Sequence, residues 1–280
     1  MSKGKKCPVC SRGKTVLKDK KIGLYNCLSC SHTFTLLPKK KQEKYGADYF
    51  EEEHKNWFNN INYGLYDFVI ARLSELLPVK KIVLLDVGCG RGHFLRHIRK
   101  KAKEAELWGI DLAKNSAPGI HFVKGDFLGK KIPWPKFNAI CSFAVAEHVD
   151  NPGLFAKKIS IALEKGGIAA IMTVDNNSLV YRAARAMNRL GNGTAYKRVY
   201  SRHHLQHYTK KSLRTLMEDN GFETVLQKSH NGPLKAIDIP KSNFFAEKAY
   251  LAALGAIFLA STALGCGMYQ TIICRKKTNT

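Results

Sequence analysis

Residues Lys81 to Leu95, KIVLLDVGCGRGHFL, decide how this chain is read. The apolar run Ile82-Val83-Leu84-Leu85 leads into Asp86, glycines follow at positions 88, 90 and 92, and an amphipathic segment opens near His93. That order predicts a strand, a tight turn and a helix, with a small polar ligand over the turn. Glycine lets the backbone adopt φ > 0 and approach a ligand closely, and the start of the next helix offers unpaired N–H groups. Dinucleotide-binding proteins share such a turn, but with the spacing G-x-G-x-x-G. Here the spacing is G-x-G-x-G, an acid stands two residues before the first glycine, and the third glycine of that fingerprint is missing.

Working outward, Glu106-Leu-Trp-Gly-Ile-Asp111 reads as a second strand ending in an acid, about twenty residues beyond the last of the three glycines. In a doubly wound sheet that end faces the ligand crevice, where a carboxylate accepts both ribose hydroxyl protons. An acid in a solvated loop is the alternative. A third strand starts at Ile120 and exits at Asp126-Phe127, Pro133-Trp134-Pro135 makes a rigid turn, and Phe137 to Phe143 is the fourth strand. A helix from Leu154 to Leu163, a turn Glu164 to Gly167 and a fifth strand Ile168 to Val174 follow. Residues 176–200 form a basic insertion with the helical piece YRAARAMNRL, expected as a lid over the site. A helix Ser212 to Asn220 ends at Gly221, and Phe222 to Gln227 is the sixth strand. Upstream, apolar residues from Asn62 to Leu77 recur at helical spacing until Pro78.

The glycine turn resembles the first motif of the class I S-adenosylmethionine methyltransferases, and the resemblance continues downstream in that family's order. It implies an α/β fold, a seven-stranded, mainly parallel Rossmann-like sheet, with S-adenosyl-L-methionine as cofactor. It places Asp86, Gly88, Cys89, Gly90, Asp111, Leu112, Asp126, Phe127 and Ser142 around that cofactor, Asp111 at the ribose and Asp126 with Phe127 at the adenine. Asn138 departs from the Phe-Asp that opens the fourth strand in many relatives. The stretch Ala144-Val-Ala-Glu147-His148-Val-Asp-Asn-Pro152 resembles the LEHV-x-x-P stretch of the ubiquinone-biosynthesis O-methyltransferases and their relatives. This implies Glu147 and His148 as catalytic residues, with His148 able to take a proton from a substrate hydroxyl. Some of those enzymes hold a divalent cation with a further acid three residues before the Glu, where this chain has Ala144. The segment Ser201 to Leu213 resembles the one before the family's last crossover helix, with His204 and His207 expected on the substrate side or in structural hydrogen bonds.

Cys7-Pro-Val-Cys10 and Cys27-Leu-Ser-Cys30 are two C-x-x-C knuckles separated by sixteen residues. That pattern fits a structural zinc site of four thiolates, expected to lie away from methyl transfer. The reading divides the chain into a zinc ribbon at 1–37, a linker at 38–61 and a catalytic domain at 62–280. The linker's KKKQEKYGADYFEEEHKNWF resembles the link found in bacterial methyltransferases that carry such a ribbon. Cys89, Cys141, Cys266 and Cys274 read as small packing residues.

A formal net charge of +24 is unusual for a small-molecule enzyme and implies an anionic partner or a lysine-rich proteome. Between Met1 and Lys44 stand twelve Lys or Arg against Asp19 and Glu43. The opening MSKGKK has no apolar run behind it, so a cytoplasmic location is expected, peripheral to the inner face of the membrane if the C-terminal segment docks there. That segment is an apolar insertion at about 245–264 before a last, antiparallel strand from Met268. It reads as a helix dipping into an anionic membrane interface or capping the substrate pocket, with a buried helix or a span as alternatives. The acceptor expected is small, hydrophobic or lipid-linked. An RNA methyltransferase using the basic ribbon, and a non-catalytic binding module, are the other classes. The lack of N-P-P-Y or D-P-P-Y after strand four weighs against the first, and the intact acids and glycines against the second.

Overall fold

The computed structural model describes residues 5–12, 14–36, 56, 59–78, 81–129, 135–237 and 244–278. The YGADYF stretch of the linker and the Pro133-Trp134 turn lie outside them. Three short strands come first, β1 (Thr15–Asp19), β2 (Leu24–Cys27) and β3 (Thr33–Thr35). Helix α1 (Tyr63–Leu76) is capped by Asn62, whose side chain accepts from Leu65 N–H, and buries Leu65, Val69 and Leu73. This i, i+4, i+8 stripe is the periodicity read from the sequence. Then come β4 (Val83–Val87), α2 (His93–Lys101), β5 (Glu106–Asp111), β6 (Ile120–Lys124), β7 (Phe137–Phe143), α3 (Pro152–Ala162) and β8 (Leu163–Val174). The remainder is α4 (Leu179–Arg189), α5 (Thr194–Val199), β9 (Gln206–His207), α6 (Lys210–Glu218), β10 (Phe222–His230), α7 (Phe244–Ala263) and β11 (Tyr269–Lys276).

Seven strands form one sheet in the order β10-β11-β8-β7-β4-β5-β6. From β8 to β6 all neighbours pair in parallel, while β11 runs antiparallel to both β8 and β10. The order reverses beside β4, so the crevice opens at the carboxyl ends of β4, β5 and β7, where a doubly wound sheet binds its ligand. Alternation along β4 splits the core. Leu84 joins the face packed by α1 and α2, and Leu85 and Val87 the face packed by α3 and α6. Side chains such as Leu84, Leu85 and Phe94 are no more than 1% exposed, each contributing roughly 1.5–3 kcal/mol of burial.

The structure differs from expectation at two turns. The expected turn at Glu164 to Gly167 is the start of β8, where Leu163 pairs with Phe137 and the register shifts before Ala139 pairs with Ile168. Gly166, at φ +76°, supplies the irregularity that lets a turn-like sequence stay in the ladder. Helix α6 ends at Glu218, with Gly221 (φ +87°) two residues beyond the cap Asp219. The ribbon's sheet is β1-β2-β3-β9, and β9 comes from the catalytic half.

Asn231 clamps the C-terminal half of helix α7 to the approach to β11. The Asn231 Nδ2 donates to Phe258 O and Ser261 Oγ at 3.1 and 2.8 Å, and its Oδ1 accepts from Met268 N at 2.9 Å. Leu254, Phe258 and Ser261 are buried, while Phe245, Leu259 and Leu264 are 83%, 77% and 71% exposed. Among the described residues no helix is long and apolar enough to cross a membrane.

Candidate functional site

One cavity of about 1060 Å³ runs along the crevice. At one end its wall is the turn after β4, where Gly88 and Gly90 take φ of +71° and +50°. A Cβ on Gly88 would stand 2.2 Å from Val145 Cγ2, so no larger residue fits that turn. Asp111, at the end of β5, joins the turn to its neighbour: Oδ2 accepts from Gly90 N–H at 2.8 Å and Oδ1 from Ala113 N–H at 2.9 Å. Each carboxylate oxygen has two lone pairs, so one acceptor site per oxygen remains toward the cavity. Leu112, Asp126 and Phe127 line the same end, with the Asp126 carboxylate accepting from Leu128 N–H.

Asp86, Cys89 and Ser142 are not on the cavity wall but behind it. Ser142 Oγ donates to Val87 O at 2.9 Å, tying β7 to the turn. Cys89 Sγ packs against Gly109, where a Cβ would come within 2.8 Å of it. Asp86 is 2% exposed, and its Oδ1 has no hydrogen-bond partner among the described residues. Burial, with the Asp111 charge second, pushes its carboxyl well above the usual range. An orphaned carboxyl oxygen behind a glycine cradle with two acids beside it fits a cofactor carrying ribose hydroxyls and an amino group, as S-adenosylmethionine does.

Glu147 and His148 line the same cavity, on the loop whose Val145 packs against Gly88. Glu147 is 2% exposed, and its Oε2 accepts from Thr173 Oγ1 at 2.6 Å. Burial raises its carboxyl to about 7, against the lowering effect of that bond. His148 Nδ1 donates to His203 O at 2.8 Å, which makes Nε2 the basic nitrogen of the neutral ring. His204 lies on the same wall, its ring 4.9 Å from that of His148. One carboxylate oxygen and two imidazole nitrogens from Glu147, His148 and His204 lie within 4.8 Å of one another, a donor set of the type that holds a divalent cation. His207 turns the other way: it is fully buried, with Nε2 3.3 Å from Thr35 Oγ1.

The four ribbon cysteines are buried with their sulfurs within 4.8 Å of one another, Cys7 to Cys30 at 3.7 Å and Cys10 to Cys27 at 3.6 Å. A tetrahedron with zinc–sulfur bonds of about 2.3 Å has edges of about 3.8 Å, so the set fits zinc. Each knuckle turns through a serine in the left-handed region, Ser11 at φ 55° and Ser31 at φ 61°.

Several site residues carry no sequence signal. Thr173 is one of many residues in a buried strand, and Ile22 reaches the cavity only because the ribbon folds over it. The lid expected at 176–200 does line the cavity, through Tyr181, Lys197 and Tyr200 among others. Helix α1 instead stands behind the wall, its Tyr66 ring 5.4 Å from that of the lining Phe143.

A sheet of this order, with a glycine turn after β4 and acids after β5 and β6, defines a Rossmann-like methyltransferase architecture. A family model described as a methyltransferase domain matches residues 58–227, and the chain belongs to that family. Among curated proteins it is similar to the mitochondrial ubiquinone biosynthesis O-methyltransferase of Dictyostelium discoideum, 24% identical over 49% of this chain and 55% of that protein. It is also similar to the ubiquinone biosynthesis O-methyltransferase of Pelagibacter ubique, 31% identical over 41% of this chain and 50% of that protein. The chain thus spans about half the length of the curated relatives it matches. A solved complex between the Haloferax volcanii Trm112 methyltransferase activator and a methyltransferase shares the fold, with a TM-score of 0.54 at 17% identity over 81% of this chain and 92% of that one.

Proposed function

We propose that this protein transfers the methyl group of S-adenosylmethionine to an oxygen of a hydrophobic or lipid-linked acceptor, working at an anionic membrane surface. The observation that carries this reading is the continuity of the cavity. It passes from Gly88, Asp111 and Asp126 to Glu147 and His148, and on to the apolar Tyr250 and Leu254 of α7. At about 1060 Å³ it has room for more than one drug-sized molecule.

When bound, the cofactor supplies a methyl group already activated as a sulfonium, so the chain's own tasks are alignment and exclusion of water. Asp111 would hold the ribose hydroxyls, and Asp126 with Phe127 the adenine. His148 Nε2 would accept the acceptor hydroxyl proton. Helices α4 and α5 close the crevice against solvent. The same two names among the curated relatives support an O-methyl product, and with Ala144 in place of an acid the reading keeps His148 Nε2 for the proton and routes nothing through a cation. The outward apolar residues of α7 support membrane docking, and so does the run 176–217, which has nine Lys or Arg and no acid.

The net charge also supports a second reading, methylation of RNA. Incubating the protein with methyl-labelled cofactor and either a membrane lipid extract or total RNA separates the two. Label in the lipid fraction is expected; label confined to RNA overturns the acceptor reading.

A further inference from the structure

The ribbon is bonded to the catalytic half at the loop that carries Glu147 and His148. Strand β3 pairs antiparallel with β9, Thr33 opposite His207 and Phe34 opposite Gln206. Just before and within β9, the N–H groups of Leu205 and Gln206 both donate to the carbonyl of Glu147, at 2.8 and 2.9 Å. The Gln206 side chain donates from Nε2 to Val149 O at 3.0 Å. That bond fixes the amide, so its Oε1 faces the ribbon and accepts from His32 Nε2 at 2.9 Å. His32 and Gln206 are 0% and 3% exposed, so water offers neither a substitute partner. His32 is in turn held to the second knuckle, its carbonyl accepting from Cys27 N–H at 2.7 Å. A continuous path of bonds therefore runs from the thiolate cluster through His32 and Gln206 to the backbone on both sides of His148.

Among the described residues, the turn after β4 and the ends of β5 and β6 have no such hydrogen bond to the ribbon. The ends of β4, β5 and β6 line the cavity there, with Val145 of the loop after β7, whereas among the described ribbon residues Ile22, in the turn between β1 and β2, lines it.

We propose that His32 and Gln206 are positioning residues through which the metal-bound ribbon holds the Glu147–His148 loop against the acceptor. The ribbon then governs the acceptor half of the site and leaves the cofactor half alone. Its activity arm rests on the methyl-transfer reading; its structural arm does not.

The test uses the full, zinc-loaded chain with three variants. His32→Phe keeps a ring against Phe34 and Tyr208, whose centroids lie 6.0 and 4.9 Å away, but removes the donor. His32→Gln restores a donor, and Gln206→Leu removes both amide bonds. Amide hydrogen exchange across residues 144–150 should quicken by about tenfold or more in His32→Phe and Gln206→Leu. It should stay nearer wild type in His32→Gln, and residues 85–93 should be unaffected in all three. Zinc content and S-adenosylhomocysteine affinity should be retained. Label transfer to the lipid extract should fall roughly 10- to 100-fold in His32→Phe and recover in part in His32→Gln, because small misplacements of a reacting group cost that much. Unchanged loop exchange in a folded His32→Phe overturns the proposal. So does loss of zinc or cofactor affinity together with loop protection, which would mark a general packing role. If wild type labels no lipid, the acceptor reading fails while the exchange result still decides this one.

Discussion

Both oxygens of Asp111 are already engaged by backbone N–H groups, one of them from the glycine turn, so this side chain shapes the cradle as well as facing the ligand. If its remaining acceptor sites hold the ribose as proposed, Asp111→Ala should weaken S-adenosylhomocysteine binding by about 1.5–3 kcal/mol in calorimetry, in a protein that still folds. Glu147 makes a different prediction. Its carboxyl titrates near 7 when folded but at the ordinary, lower value when unfolded, so the unfolded chain gives up this proton first. The associated stability is present below the unfolded pKa and is lost as pH rises through about 7. Glu147→Gln should therefore raise the melting temperature at pH 8, by up to about 3 kcal/mol of stability, with the gain vanishing toward pH 4. Thermal melts over that range check it. At this scale the acids and glycines were legible because spacing gives them away. His204 and His207 were not separable, since only the pairing of β9 with the ribbon decides which one meets the cavity and which is buried. Such non-local pairing leaves no mark in local sequence.

Among the elements, β5, β6 and β7 match their sequence reading because turn residues bound each run. The stretch Glu164 to Gly167 misled because glycine and charge predict a turn, whereas pairing with β7 carries β8 through it. Helix α7 is apolar on every side, so composition gave its existence but not the face that packs. The structure turns Leu254 and Phe258 inward and leaves Phe245 and Leu259 out. If the outer face docks on lipid, vesicles with anionic headgroups should bind the protein at low salt and release it as salt rises, while neutral vesicles bind poorly. The double substitution Phe245→Glu with Leu259→Glu should cut that binding at least about tenfold, given the area lost, and leave cofactor affinity unchanged. Co-sedimentation measures it, and wild-type protein that ignores anionic vesicles returns α7 to the role of pocket wall.

At the scale of the molecule, the ribbon cysteines share a hydrophobic cluster with Phe155 and Met217, while Leu24 joins the cluster on the opposite face of the sheet. Two C-x-x-C knuckles announced the four-thiol cluster, but nothing in them announced that the ribbon's sheet would be completed by the catalytic half. Because both cores include ribbon residues, chelating zinc should lower a single cooperative transition rather than melt the ribbon alone, as scanning calorimetry with and without chelator would show. A separate early transition at unchanged main melting temperature would contradict that.

The central claim, a methyltransferase cofactor site at the carboxyl ends of β4, β5 and β6, meets its most direct test in a calorimetric titration of S-adenosylhomocysteine into the zinc-loaded full chain. One saturable site per chain is expected, with affinity lowered in Asp111→Ala. A folded, zinc-loaded protein that takes up no S-adenosylhomocysteine, or binds it equally well without the Asp111 carboxylate, would contradict it.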